Sequence, residues 1–379
     1  MQTIVIKSED TNAYASALAE AAQALRAGEL VIFPTETVYG VAANVADARA
    51  VAKLRAAKGR GQSQPFTVHL GQKQHARQFL TAPPLVARRF MRKAWPGPLT
   101  VVCEEPTPER TAVATKCPPQ QLGEIYYRGT VGLRCPDHPV ATRLLTEAGV
   151  PVVASSANRH GRPPPCDVND ALRELNGLVA YAIDAGPTRH NVASTVVEVR
   201  DNDWRILRSG AVDVRALQRL ASCAILFVCT GNSCRSPMAE VLFRDALARR
   251  LGSTPEALGQ LGYAVMSAGT AASTGGSASS GALSAMSARG LDLSAHRTQP
   301  LTVELIHRAE RIYVMSDEHR DAVLRLVPGA AGRVELLDAD GPVLDPLGGS
   351  PDDYRRCAEQ IERAVKARLE ELLDEDRNW

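Results

Sequence analysis

The sequence predicts an α/β protein in two domains, and three observations carry that expectation. At 379 residues the chain is too long for one ordinary core, so two domains of roughly 150 to 200 residues are expected. Apolar β-rich runs alternate with amphipathic stretches, the pattern of strands interleaved with helices. Near WRILRSGAVDVRALQRLASCAILFVC the pattern restarts, with a last strand and turn, a short helical piece and a new buried strand. The boundary is expected at about 210–222, giving domains over 1–212 and 222–379. The junction is not a Gly/Ser linker.

In the first half LVIFP, FTVHL, LTVVC, TVGLR, VPVVASS and STVVEV read as strands. Helical periodicity falls around 11–27, 46–57, 84–93 and 138–148. In the second half AILFV is a short apolar run of the kind that forms a central parallel strand. The run TAASTGGSASSGALSAM reads as a loop entering a helix.

Composition narrows the function classes. Hydrophobic residues are 45% and charged residues 23%, the balance of a soluble globular protein. Lys plus Arg number 44 against 42 Asp plus Glu, which argues against a dedicated nucleic-acid coat. The basic cluster in RRFMRKAW (Arg88, Arg89, Arg92, Lys93) could hold RNA but is expected to be a solvated helix face. MQTIVIKSED has no basic segment followed by an apolar run, so no secretory signal is expected. No apolar run approaches the ~20 residues that cross a bilayer, so no membrane partner is expected. The eight cysteines are scattered, with no CxxC pair, which speaks against a zinc ribbon or a thioredoxin motif. No metal site and a reducing, cytoplasmic setting are the expectation.

The stretch FVCTGNSCRSPMAE holds Cys229, which could be a buried strand-end thiol, half of a metal pair, or a nucleophile. A strand ends at Cys229, the loop Thr230, Gly231, Asn232, Ser233, Cys234 follows, and Ser236-Pro237 suits a helix N-cap and first position. Loop N–H groups and a helix N-terminus then surround one point, an anion cradle that also favours a thiolate. Arg235 follows Cys229 after five residues, so its planar fork can grip two phosphoryl oxygens. A bare C-x5-R is weak evidence. The preceding strand, the Gly in the loop and the Ser-Pro helix start make this one specific.

From about 224 to 373 the chain resembles the low-molecular-weight protein phosphatase family, through CTGNSCRSPMAE, SAGT, GLDLSAHRTQPLT, VMSDEHRDAV and LDPLGGSPDDY in order. The resemblance implies a smaller doubly wound parallel sheet, with Cys229 as nucleophile, Arg235 holding the phosphoryl group and Asp345 as general acid and base. Asn232 and Ser236 would order the loop. Cys234 lies where it could trap an oxidised Cys229, and His296 and His319 are expected to be structural or surface residues. No cofactor is implied for this half, and the substrate would be a phosphoprotein. Tyrosine-directed relatives carry a bulky aliphatic residue at the position of Ser233 and aromatics after the acid. Here Ser233 and DPLGGS point toward the protein-arginine phosphatase branch. A tyrosine phosphatase or an arsenate reductase is the alternative, the latter disfavoured because LIHRAERIYVMSDEHR contains no relay cysteine.

In the first half FPTETVYGVAANV, AKGRGQSQPFTVHL, VVASSANRHGRPPP and ASTVVEVRDNDWRILRSG combine small hydroxyl residues, basic residues and Gly at strand ends. Such loops bind phosphate, but there is no Walker motif and no GxGxxG. The residues alone lead to an anion-binding α/β domain. Residues 1 to about 212 further resemble the YrdC-like threonylcarbamoyl-AMP synthase family, with KxR, SSAN and STVV in register. The resemblance implies a twisted open α/β sheet and a nucleotidyltransferase. It would join L-threonine, bicarbonate and ATP into threonylcarbamoyl-AMP and pyrophosphate, with Mg²⁺ beside the ATP. The product serves tRNA modification, so transferase proteins and tRNA are possible partners. Carried over, Lys58, Arg60, Gln64, Thr130, Ser156, Asn158, Pro164 and Arg208 would surround ATP. Thr35, His69, Arg134, the Ala154 backbone and Ser194 would surround threonine. Two positions depart from the family pattern: Asn191 where Gly is usual before STVV, and Gln64 where Asn is frequent. The alternative is an RNA- or nucleotide-binding module without turnover.

Overall fold

The computed structural model describes residues 3–7, 11–59 and 64–377. They form two compact units that divide between Leu220 and Ala221. The first unit runs β1 (Ile4–Lys7), α1 (Thr11–Arg26), β2 (Val31–Phe33), β3 (Gly40–Asn44), α2 (Ala48–Lys58), β4 (Thr67–His69), α3 (Leu85–Ala94) and β5 (Leu99–Glu104). It continues through α4 (Pro119–Leu122), β6 (Tyr126–Tyr127), β7 (Thr130–Arg134), α5 (Pro139–Ala148), β8 (Val152–Ser156), α6 (Val168–Leu175), β9 (Tyr181–Asp184), β10 (Thr195–Arg200) and β11 (Asp203–Arg208). Helix α7 (Val214–Ala221) leads to the division.

The strands build one mixed sheet in the order β1-β9-β2-β3-β8-β4-β7-β5-β10-β11, with β6 beside β7. Leu18, Ala21, Ala22 and Leu25 of α1 and Ala141, Leu144, Leu145 and Ala148 of α5 pack on Val31, Phe33, Ala42 and Ile183 of the sheet. Each fully buried leucine there contributes roughly 1.5–3 kcal/mol by removal from water. Local chemistry sets the helix ends. Asp47 caps α2 by accepting from Arg49 N, and Gly59, at φ 60, ends it immediately after Lys58. That stop fixes Lys58 as the last helical residue, where it is buried. The basic cluster on α3 is not a fully solvated face: Arg89 is fully buried and Arg88, Arg92 and Lys93 are half-buried.

The second unit runs β12 (Cys223–Cys229), α8 (Arg235–Leu251), β13 (Tyr263–Gly269), α9 (Ser280–Ser287), α10 (Val303–Arg308), β14 (Arg311–Val314), α11 (Asp317–Leu326), β15 (Val334–Leu336) and α12 (Pro351–Arg377). Its four strands are all parallel, in the order β13-β12-β14-β15. Every residue of β12 is buried, as expected for a central strand covered on both faces. The chain moves to one side of β12 for β13 and to the other for β14, so the strand order reverses at the carboxyl end of β12. Such a reversal opens a crevice where ligands bind in parallel α/β sheets. Cys229 is the residue at that end.

Candidate active sites

A cavity of about 160 Å³ opens in the middle of the first sheet. Its walls come from the ends of β3, β4, β7 and β8 and from the loops before β3 and β10. Thr35, His69, Arg134, Ala154 and Ser194 all line it, together with Ser156 and Arg208. Residues more than 170 positions apart in sequence thus meet at one point.

Arg134 is 5% exposed, and its Nη2 donates to Glu36 Oε1 at 2.9 Å and to Thr37 Oγ1 at 2.6 Å. Its Nε is buried without a hydrogen-bond partner. A buried guanidinium N–H left unpaired is a donor that lacks an acceptor. Arg208 reaches the same cavity from β11, donating to Ser194 O at 2.8 Å and Ser194 Oγ at 3.1 Å. Burial and the neighbouring Arg134 push the Arg208 guanidinium below its ordinary value. Two cations that disfavour each other mark a place for an anion. Close backbone approach holds Arg208 there: a Cβ on Gly210 would lie 2.3 Å from Ala193 O and 2.5 Å from Ser194 C.

His69 sits at the end of β4 with Nδ1 3.2 Å from Thr67 O and its ring edge-on to Phe33. Burial, then Arg134, push its pKa down to about 3, so the imidazole is neutral at ordinary pH. Thr35 Oγ1 donates to Val38 O at 2.7 Å and fixes the turn that lines the cavity. Ser194 Oγ lies 2.9 Å from Thr100 Oγ1.

The remaining nucleotide candidates lie along the rim or away from it. Lys58 Nζ donates to Ser156 O at 2.6 Å, to Asn158 Oδ1 at 3.2 Å and to Asn158 O. The lysine is therefore anchored on the SSAN loop, beside a residue that lines the cavity. Thr130 and Arg134 share a face of β7 about 13 Å apart, with Gly132 between them. Thr130 is buried and donates to Tyr127 O at 2.9 Å. Gln64 and Pro164 are exposed. Arg60 lies outside the described residues. Asn191 has φ 55, a left-handed conformation, and its Oδ1 accepts from Thr188 Oγ1 at 3.1 Å. After glycine, Asn is the residue that tolerates this region best, which accounts for the departure noted in the sequence. Glu36, Thr37, Thr67 and Thr100 were not singled out from the sequence. Glu36 and Thr37 sit inside the quoted PTET, and that local run was the available signal.

The second site is built around Cys229. Five carbonyls of the loop are engaged away from its centre: Cys229 O accepts from Thr270 N, Thr230 O from Ala271 N, Asn232 O from His296 Nε2, Ser233 O from Ser279 N and Cys234 O from Met238 N. Peptide geometry then turns the loop N–H groups inward, the arrangement that binds anions. Asn232 at φ 53 makes the turn possible. Its Nδ2 donates to Ser236 Oγ at 3.0 Å and to Ser267 Oγ at 2.9 Å, while Oδ1 accepts from Gln299 N at 2.9 Å. Both Nδ2 protons are committed, and Ser236 Oγ lies 2.9 Å from Cys229 Sγ and within 3.4 Å of Ala268 O, a second acceptor for its proton. Ser267 Oγ passes its own proton to Glu240 Oε2 at 2.6 Å. Burial raises the Glu240 carboxyl pKa.

Helix α8 starts at Arg235, with Cys234 in the N-cap position. Ser236 is thus inside the first turn and not the cap, since its hydroxyl is engaged with the thiol. Arg235 Nη2 bonds Asp345 Oδ2 at 2.5 Å and Thr230 Oγ1 at 3.3 Å, and Nη1 donates to Val343 O at 3.2 Å. Asp345 is half-exposed, and Leu347 behind it is 69% exposed. Cys234 Sγ donates to Ser279 Oγ at 3.1 Å and lies 3.6 Å from Tyr354 OH. His296 and His319 are both structural supports of the loop. Cys229, Arg235 and Asp345 therefore come together at one loop, an arrangement suited to phosphoryl transfer through a cysteine.

Comparison with known proteins assigns each unit separately. Residues 23–210 match the Sua5/YciO/YrdC family, described as telomere recombination, and residues 224–378 match the low molecular weight phosphotyrosine protein phosphatase family. A threonylcarbamoyl-AMP synthase of Bacillus subtilis (strain 168) is 37% identical over 197 residues, covering 52% of this chain and 54% of the relative. The chain thus spans about half the length of that relative. A second relative of this half, from Mycobacterium tuberculosis, is 39% identical over 202 residues, covering 53% of this chain and 87% of its own length. The solved structure of a P. abyssi Sua5 variant is similar with a TM-score of 0.51 and 28% identity, over 61% of this chain and 72% of that one. For the second unit, a protein-arginine-phosphatase of Bacillus subtilis is 36% identical over 158 residues, covering 40% of this chain and 98% of the relative.

Proposed function

Residues 23–210 belong to the Sua5/YciO/YrdC family and residues 224–378 to the low-molecular-weight phosphatase family, and from this premise we propose a bifunctional enzyme. The first unit is an L-threonylcarbamoyladenylate synthase serving tRNA modification. The second is a cysteine-dependent protein phosphatase directed at phosphoarginine.

The observation that carries the synthase reading is the 160 Å³ cavity, into which Thr35, His69, Arg134, Ala154, Ser194 and Arg208 converge. Its volume suits an amino acid. The unpaired Nε of Arg134 and the Arg208 cation suit the carboxylate of threonine. The threonine nitrogen bonds to the carbon of bicarbonate, a C–O bond of bicarbonate breaks, and water leaves with a proton from the nitrogen, giving a carbamate. A carbamate oxygen then attacks the α-phosphorus of ATP, the bond from that phosphorus to the bridging oxygen breaks, and pyrophosphate leaves. No covalent enzyme intermediate is needed, so the protein contributes positioning and preorganised charge. Lys58, Ser156 and Asn158 form the phosphate-side rim. Mg²⁺ would arrive with the triphosphate as part of the substrate. The test is pyrophosphate release that requires threonine and bicarbonate together.

The Cys229–Arg235–Asp345 convergence carries the phosphatase reading. Cys229 Sγ attacks phosphorus, the bond to the leaving nitrogen breaks, and Asp345 supplies its proton. Asp345 then takes a proton from water, which hydrolyses the phosphocysteine and releases phosphate. Ser233 is small and residues 347–350, directly after Pro346, include no aromatic that could sandwich a phenol, while the half-exposed Asp345 carboxylate can pair with a guanidinium. The test is kcat/KM on phosphoarginine against phosphotyrosine peptides. Arsenate reduction is not favoured, because Cys357 is buried and its thiol pKa is pushed up to about 12.

A further inference from the structure

His319 lies outside the loop that surrounds Cys229, yet its imidazole links two parts of the site. It is 5% exposed, in the first turn of α11. Nε2 lies 2.9 Å from Thr230 Oγ1, and Nδ1 lies 2.9 Å from Ser316 Oγ. Thr230 Oγ1 in turn accepts from Arg235 Nη2 at 3.3 Å. One tautomer places every proton in this chain. With the proton on Nδ1, the ring donates to Ser316 Oγ, Nε2 accepts from the Thr230 hydroxyl, and the Thr230 oxygen accepts from Arg235. With the proton on Nε2, the Thr230 oxygen would face two donors and its own proton would lack this acceptor.

The ring stays neutral for physical reasons. Burial and the Arg235 guanidinium disfavour the imidazolium, Glu318 and Asp345 favour it, and the balance lowers the pKa to about 4. Ser316 stands at the N-cap of α11 without a side-chain capping bond to the helix backbone, its hydroxyl being turned to the imidazole.

We propose that His319 is a positioning residue for the phosphate-gripping arginine: it orients the Thr230 hydroxyl, and the Thr230 oxygen fixes the plane of the Arg235 guanidinium beside Cys229. The proposal rests on the phosphatase reading of this loop. The effect is transmitted through Thr230, so it should move the grip on the phosphoryl group more than the reactivity of the thiol.

The test is alkylation of Cys229 by iodoacetamide, followed by peptide mass in the full-length chain as inorganic phosphate is raised. The rate without phosphate reads the thiol environment, and the phosphate concentration that halves it reads the grip of Arg235. His319→Phe is expected to raise that concentration about tenfold, the size of a lost hydrogen bond to a charged group, while the phosphate-free rate stays within about twofold. His319→Gln, whose Oε1 can still accept from Thr230, is expected within about threefold of the unmodified protein. Equal phosphate protection in His319→Phe would overturn the proposal. Should that variant not fold, Ser316→Ala, which removes the acceptor for Nδ1–H, is expected to weaken protection about threefold, and unchanged protection there overturns it equally. If phosphate fails to protect Cys229 even in the unmodified chain, the phosphate-site reading falls and takes this proposal with it.

Discussion

Ser233 is two positions before Arg235, and its Oγ lies 3.7 Å from Cys234 Sγ at the loop's edge. A branched aliphatic side chain there would fill polar space beside the phosphoryl site, so Ser233→Ile is expected to shift the kcat/KM ratio toward phosphotyrosine. An unchanged ratio in parallel assays would remove Ser233 as a specificity residue. His69 supports a second expectation at this scale. Its folded pKa of about 3 lies below the ordinary value near 6.5. Between those pH values the unfolded chain binds a proton that the folded chain does not, so stability falls as pH is lowered through that window. His69→Gln should flatten this part of the unfolding profile of the first unit, and an unaltered profile would contradict the neutral buried imidazole. Single residues with strong chemistry were legible in the sequence: Cys229, Arg235, Asp345, His69 and Arg134 all lie where structure gathers them. Their partners were not. Glu36 reaches Arg134 across 98 positions, and Ser267 reaches Asn232 across 35. Nothing local in the sequence announces such pairings, because they are set by strand order.

At the scale of elements, both sites depend on backbones that approach too closely for a side chain. A Cβ on Gly269, at the end of β13, would lie 2.5 Å from Thr230 O and 2.8 Å from Asn232 N. Both atoms belong to the loop around Cys229, so Gly269→Ala must displace it. A cost of about 1–3 kcal/mol in stability is expected, with a phosphatase kcat/KM loss larger than that of the same change at an exposed glycine. Denaturant unfolding and turnover measured together check this. The strands with strong apolar runs were legible, as were the helices around 11–27 and 84–93, since period and burial agree there. Strands β3, β6 and β9 were not: β6 is only two residues, and GVAAN and YAID lack the apolar β-branched run by which the comparably short β2 and β4 stand out. The start of α8 was displaced by one or two residues for a different reason: Ser236 reads as a cap, but the thiol claims its hydroxyl.

At the scale of the whole molecule, each unit carries its own sheet, its own core and its own candidate site. Fragments 1–212 and 222–379 are therefore expected to be soluble, each with its own activity. Inactive or insoluble fragments from several cuts between 212 and 222 would show a shared core instead. The most direct measurement is mass detection of threonylcarbamoyl-AMP from the purified chain given ATP, Mg²⁺, bicarbonate and L-threonine. The adenylate should form only when all the substrates are present, and Lys58→Ala should lower its rate by about 10²–10³-fold, the usual effect of removing one preorganised charge. Absence of the adenylate from the complete mixture, or an undiminished rate in Lys58→Ala, would contradict the synthase assignment.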